Sequence, residues 1–442
     1  MTSVANPHAT GSIFQNRPFM LLWIAQFITQ TAQQAIWFGM IIVVEQISRS
    51  SVHLSVAILS TIIPGVLFGL IAGVVVDRSN KKTVLVVTNG LRAVTVLGYL
   101  LYTRSLYFVY LVNFFFVGIS QFFGPAEASS IPALVSRRHL VSANSMFNLT
   151  FTISQLVGIV LLAPWVIKFF GASTLFTLTG AIYVVASLLT SLLPPGVPPE
   201  RPLSTLQRSA LTRVARQEIL EAWAFVTYDR RTWWAMVFVT MASTMMLIMA
   251  MLAPRYVVAI IGIQPEDSVY LFAPAGLGIL LMTLSLDRLA RRFGEMALAY
   301  VGGCLMGFAL LLMALLPRFE PFFQALNAAW LGSRSLIAGQ HALIPPLMVI
   351  SLLIGIGFAL ANIPSQSVLM ERAPVQSRGR IFSVVLLMGN VAAITPLAFL
   401  GALADLYGET SVVALVGALT LAITLLGLRE RSKVLISKLP VG

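Results

Sequence analysis

Residues 73–82 read GVVVDRSNKK, and residues 287–292 echo them as DRLARR. In both copies an aspartate–arginine pair closes an apolar run, and two basic residues stand four and five positions after the aspartate. The runs before them start near residues 53 and 268 and have membrane-crossing length, about 20 residues. A repeated loop after repeated hydrophobic segments marks an internal duplication. The whole chain agrees with a membrane protein: of 442 residues 58% are hydrophobic and only 10% charged, with a mean hydropathy of +0.89. Soluble domains carry about a quarter charged residues. Runs this long are helices rather than barrel strands, whose segments are about ten residues. The fold class is therefore an all-α integral membrane protein.

Twelve spans are expected, the first over 19–44 and the last over 411–428. They form two pseudo-symmetric six-helix bundles, 1–193 and 232–442. A segment at 194–231 joins them, proline-rich at first and then patterned as a basic amphipathic helix on the cytoplasmic side. Of the 29 basic residues, only Arg49, Arg104, Lys168, Arg255, Arg318 and Arg334 fall outside when the N-terminus is placed inside, and Arg92 falls within a span. That bias sets both termini in the cytoplasm and explains the net charge of +13 without nucleic acid. The chain is read as a multi-pass protein of the plasma (inner) membrane.

Chemistry that breaks covalent bonds finds little support. Cys304 is the single cysteine and His8, His53, His139 and His341 are scattered, so neither a disulfide nor a metal site is expected. No phosphate-binding loop of the GxxxxGK type appears, and no nucleophile, base and orienting group can be matched. No enzyme activity and no cofactor are expected. The first sixteen residues lack the features of a signal peptide, so the first span is expected to be an uncleaved helix.

The segment Gly73–Lys82 fits GxxxDRxx(K/R)(K/R) and so resembles the loop signature of the major facilitator superfamily. The second copy keeps Asp287, Arg288, Arg291 and Arg292 but has Thr283 in place of the glycine. The stretches FFGPAEASSIPALVSRRHLVSANSM, EILEAWAFVTYDRRTWW and RGRIFS are similar to the macrolide-exporter and siderophore-exporter branch. The resemblance implies the major facilitator fold, with substrate bound near the membrane midplane between the two bundles. It also implies that Asp77, Arg78, Lys81 and Lys82 latch the outward-open state against span eleven, with Gly73 allowing close helix approach. Span five, SQLVGIVLLAPWV, lacks the glycine-rich GP motif of the superfamily's antiporters, and span four has no arginine.

Two charges lie inside spans. Glu127 is an intramembrane carboxylate and so a functional candidate by default, either as a proton carrier coupling transport or as an ion-pair partner for Lys81, which the resemblance suggests. Arg92 either draws an anionic substrate inward or snorkels to the cytoplasmic interface, and its depth favours snorkelling.

The first span carries an unusual polar stripe. Gln26, Gln30, Gln33 and Gln34, with Trp23 and Trp37, fall within an arc of roughly 100° at helical spacing. Amides facing lipid are unfavourable, so this face meets protein or water: either interhelical hydrogen bonds or a cavity lining of neutral donors and acceptors. Further cavity candidates are Asn113, Gln121, Asn148, Gln155, Asn362, Gln366 and Asn390. Met245 and Met249, in the methionine-rich MASTMMLIMAML of span seven, offer an adaptable apolar surface or ordinary packing. Between spans nine and ten, Phe319, Phe322, Phe323, Leu326 and Trp330 follow helical spacing and predict an amphipathic helix at the outer interface, within a long loop at 317–345.

These features point to a monomeric secondary transporter, embedded in the lipid bilayer, that exports amphipathic small molecules by alternating access, driven by an ion gradient such as protons. Two alternatives stay open: a lysophospholipid or lipid flippase, and a transporter-like sensor or assembly factor.

Overall fold

The computed structural model describes residues 13–101, 105–195, 220, 223–227, 229–331, 342–373 and 378–436. Among them every regular element is helical, and twelve helical segments are long and apolar enough to cross a membrane. The chain groups into two compact units: Met1–Ile47 with Ser60–Arg213, and Ser48–Leu59 with Val214–Gly442.

The first unit holds α1 (Arg17–Ser48), most of α2 (Ser51–Asp77), α3 (Lys81–Leu97), α4 (Leu106–Leu134), α5 (Leu140–Leu156), α6 (Ala163–Phe170) and α7 (Ala172–Ser191). Its helix starts are specified locally. Asn16 accepts from the Phe19 N–H at 3.2 Å and donates to the Leu134 carbonyl at 2.6 Å, capping α1 and tying it to the end of α4. Asn80 caps α3 by accepting from the backbone of Lys82 and Thr83. A π-helical stretch, Val157–Leu162, joins α5 and α6 into one span, Leu140–Phe170. Gly171, at φ +84°, then turns the chain into α7, a conformation that a side chain would strain.

Lipid is as apolar as a protein interior, so close packing and internal hydrogen bonds hold such helices together. Gly158 illustrates this: a Cβ there would lie 2.7 Å from the Thr31 carbonyl oxygen, so its absence lets the π-helical stretch rest on α1. Gly118 plays the same part between α4 and the ring of Phe68 on α2. Close approach was expected at Gly73, but a Cβ there would meet nothing within 4 Å.

The second unit holds α8 (Arg230–Tyr256), which runs on through a π-helical stretch at Val257–Ile261, α9 (Val269–Phe293), α10 (Glu295–Leu315), α11 (Glu320–Leu331), α12 (Ile344–Arg372), α13 (Arg378–Tyr407) and α14 (Glu409–Ile436). Gly303 and Gly307, one helical turn apart on α10, seat it against Thr424, Leu421 and Gly417 of α14. Tyr256 donates to the Met313 carbonyl at 2.7 Å and Arg255 pairs with Glu409 at 3.0 Å. Asp405 accepts from the Ser51 and Val52 N–H groups, at 2.7 and 3.3 Å, and so caps the start of α2, whose first residues group with this unit. The expected helix after span nine is α11, with Phe319, Phe322 and Leu326 exposed beside or along it. The side chain of Trp330 and the rest of the loop to 341 lie outside the described residues, as does nearly all of the expected linker helix except Trp223–Thr227.

Candidate functional site

On α1, accessible positions include Met20, Trp23, Phe27, Gln30, Gln33, Gln34 and Trp37 on one side and Arg17, Leu21, Ile24 and Ile28 on another, while Phe38 to Glu45 are buried. Of the four glutamines of the expected stripe, three are accessible and Gln26 is buried. Trp23 donates to the Thr150 hydroxyl of α5 at 2.8 Å, and Gln26 is buried with Oε1 unpartnered. Gln30, Gln33 and Gln34 are half-buried, and no side-chain hydrogen bond engages them among the described residues. Amides that glued helices together would be paired; these three keep their donors and acceptors available.

The other polar candidates divide by burial. Asn113 is buried and saturated: Tyr99 donates to it at 2.8 Å, and its amide donates to Ser60 and Thr61 at 2.7 and 2.9 Å. It fastens α2, α4 and the end of α3. Gln121 lies beside Gly65 and Gly69 of α2. Gln155 and Asn390 are exposed, and the side chain of Asn148 lies outside the described residues. In the second unit Gln366 donates to Asn362 at 2.5 Å and Asn362 to Ser243 at 3.3 Å, a relay between α12 and α8. Met245 and Met249 are buried in α8.

A charged centre lies inside the first unit. Arg92 does not snorkel; it is 2% exposed. Its guanidinium stacks over Phe123 at 4.5 Å and near Tyr183 at 5.6 Å, and donates to the Ser120 carbonyl at 3.1 Å. The reason is its place on α3, on the face that buries Leu85, Asn89 and Val96 and packs against α4 and α7. Aromatic faces and a carbonyl substitute for water around the cation; a desolvated cation–π contact contributes about 2 kcal/mol.

Glu127 of α4 is buried too, with Oε1 unpartnered. Lys81, the partner suggested by resemblance, donates instead to the Asp77 carbonyl at 3.0 Å. It stands at the start of α3, roughly 16 Å along the helix from Arg92. The burial of Arg92 was missed in the sequence, although Asn89 and Arg92, three residues apart, share the buried face of α3.

In the repeated loop, Lys82 donates to the Leu193 carbonyl at 2.5 Å, tying α3 to the end of α7. Asp77 is exposed, and Arg78 has its Nη1 buried without an acceptor. In the second copy Asp287, Arg288, Arg291 and Arg292 are all exposed, with Arg292 over the Phe293 ring at 5.4 Å. The side chains of 378–383, which open span eleven, lie outside the described residues. No group of three or more His, Cys, Asp or Glu residues able to hold a metal occurs among the described residues.

The model of the Major Facilitator Superfamily matches residues 22–396. An uncharacterized MFS-type transporter of Bacillus subtilis (strain 168), YfiS, is 23% identical over 386 residues, covering 87% of this chain and 85% of that one. A second from the same organism, YkuC, is 29% identical over 153 residues, about a third of each chain. Among solved structures, the nucleoside transporter NupG superposes with a TM-score of 0.70 at 14% identity, covering 93% of this chain and 98% of that one. A bacterial homologue of the lysosomal transporter Spinster, inward-facing and unoccupied, gives 0.66 at 14% identity, covering 94% of each chain. At such identities the likeness establishes the fold.

Proposed function

The chain belongs to the Major Facilitator Superfamily, and on that premise we propose that it is a secondary transporter exporting amphipathic organic molecules by alternating access. It is a transporter rather than an enzyme. The observation that carries the substrate class is the α1 stripe: Gln30, Gln33 and Gln34 are accessible, unengaged and next to Trp37. Neutral amides beside an indole suit a molecule with a few hydrogen-bonding groups on an apolar body. A strongly ionic cargo would call for fixed charges on that face, and the stripe has none.

Glu127 is our candidate for proton coupling, since a carboxyl buried within a span, with an oxygen left unpartnered, can take up and release a proton. Cytoplasmic termini are supported by the distribution of basic residues, and export across the plasma membrane by the resemblance to the exporter branch. The motif stretches after α4, before α8 and at the start of α13 support placement near the macrolide- and siderophore-exporter branch.

The test is transport by purified protein in liposomes under an imposed proton gradient, with an amphipathic cationic dye and a lysophospholipid as alternative substrates. Gln34→Ala and Gln30→Ala should raise KM for the dye several-fold, and Glu127→Gln should abolish the dependence on the gradient. Dye flux unaltered in both glutamine variants would reject the stripe as the substrate surface. Flux of lysolipid alone would establish a lipid transporter instead.

A further inference from the structure

We propose that a groove on the first unit, between α2, α3 and α4, binds an anionic glycerophospholipid, with its phosphate on Arg78 and an acyl chain along Phe68, Phe114, Phe115 and Phe122. The groove encloses about 640 Å³. Its long wall is apolar and aromatic. Phe68 meets Phe114 edge-on at 6.1 Å, Phe114 meets Phe115 at 5.8 Å, and Phe68 is seated against α4 where Gly118 has no side chain.

The groove opens on a membrane-facing surface. Val87, Leu91 and Val94, at helical spacing on α3, are each about half exposed or more, and Val87 and Leu91 line the groove. The opposite face of the same helix buries Asn89 and Arg92. An apolar exposed stripe on a spanning helix lies against hydrocarbon.

One end of the groove is polar: Arg78, Ser79, Asn80 and Thr83. The Arg78 Nη1 is shielded from solvent and has no acceptor, an unfavourable state for a guanidinium that an anion would relieve. Its charged neighbours do not relieve it. Asp77 is exposed, the Lys81 ammonium is on the Asp77 carbonyl, and that of Lys82 is on the Leu193 carbonyl. The loop thus holds three cations and one carboxylate, and the N-terminus of the 17-residue α3 adds positive potential. Ser79 donates to the Val75 carbonyl at 2.7 Å, and Asn80 Oδ1 caps α3, which leaves the Asn80 amide as a further donor at the mouth.

A phosphate joined to a hydrocarbon chain satisfies both ends at once, and the bilayer supplies it at this depth. Basic pockets beside spanning helices on the cytoplasmic side bind lipid headgroups on this principle. Arg78, expected from resemblance to act in a latch, thereby gains a lipid-binding role that its second-unit counterpart, the exposed Arg288, does not share.

The test uses the full chain, purified and delipidated in neutral detergent, with binding read by thermal shift on titration. The probes are phosphatidylglycerol, phosphatidylcholine and inorganic phosphate. Wild type should bind phosphatidylglycerol about tenfold more tightly than phosphatidylcholine, whose choline cation neutralises the headgroup and meets like charge from Arg78, Lys81 and Lys82. Arg78→Gln should bring the two lipids to parity, and Arg78→Lys should keep part of the preference. Val87→Trp, which fills the apolar wall and spares Arg78, should weaken both lipids.

An undiminished preference in Arg78→Gln would overturn the headgroup assignment, and unchanged binding in Val87→Trp would overturn the chain assignment. Inorganic phosphate that matches phosphatidylglycerol would show a free-anion site and reject the lipid. If Arg78→Gln does not fold, Arg78→Lys and Val87→Trp decide the matter by the same criteria.

Discussion

The two units treat buried polarity differently. In the first, the buried side-chain atoms without a partner include Gln26 Oε1, both polar atoms of the Asn89 amide, Arg92 Nε, Glu127 Oε1 and Arg78 Nη1. In the second they are hydroxyls, those of Ser51, Thr240 and Ser351. Several amides and charges there are engaged: Asn362 with Gln366 and Ser243, Arg255 with Glu409, Asp229 with Thr232 and Arg372. Native proteins leave few buried polar groups unpaired, and such groups concentrate where a protein must act. Among the described residues, the buried amides and charges that a ligand or proton could complete are thus more numerous in the first unit.

The sharpest way to break this contrast is at its charged centre. Arg92→Met removes the cation from its stack on Phe123 and Tyr183 and its bond to the Ser120 carbonyl, and should destabilise the protein by about 2 kcal/mol or more. Glu127→Gln, close in shape, should cost less. Thermal melting in detergent measures both. An Arg92→Met variant within about 1 kcal/mol of wild type would mean that the stack and the Ser120 bond add little to the fold.

A smaller effect separates glue from working surface within the first unit. Asn113 is fully bonded, so Asn113→Ala strands buried partners and should cost about 1–3 kcal/mol. Gln34 is half-exposed and unengaged, so Gln34→Ala should change stability by under about 0.5 kcal/mol and act on transport instead. Melting and transport assays on the same preparations give both numbers. The reverse outcome, a large melting change for Gln34→Ala with intact transport, would make the stripe structural.

Much of this was legible in the sequence, for identifiable reasons. Membrane spans are written as long apolar runs, so twelve helices could be read directly, and the repeated Asp–Arg loop disclosed the duplication. Helical phasing needs only one segment, so the shared face of Gln30, Gln33, Gln34 and Trp37 on α1 could be drawn from the sequence, but the burial of Gln26 could not. What escaped depended on neighbours distant in sequence. The setting of Arg92, between Phe123, Tyr183 and the Ser120 carbonyl, follows from how α3 packs on α4 and α7. Asp405 capping the start of α2 joins residues more than 350 positions apart, and the role of Asn113 as a fastener required Tyr99, Ser60 and Thr61 to be in place. The π-helical stretches likewise follow from packing, at Gly158 against α1.

The smallest expected effect tests the satisfied side of the contrast. Asp229 caps α8, accepting from the Thr232 backbone at 2.8 Å and hydroxyl at 3.0 Å and pairing with Arg372. Burial alone pushes its carboxyl up, but the Thr232 hydrogen bonds, the Arg372 guanidinium and the Arg231 backbone together hold it below its ordinary value of 3.8. A depressed carboxylate stabilises the fold above its unfolded value and loses that contribution as pH falls through the folded one. Asparagine caps helices about as well as aspartate, so Asp229→Asn isolates the charge. The side chain is 26% exposed, and solvent-screened pairs contribute only about 0.2–1 kcal/mol. Wild type should therefore exceed Asp229→Asn by less than about 1 kcal/mol at neutral pH, with the gap shrinking in high salt and closing below pH 3.8. A gap that survives in acid would place the stabilisation in the hydrogen bonds of the cap rather than in its charge, and the second unit would then owe its stability to geometry alone.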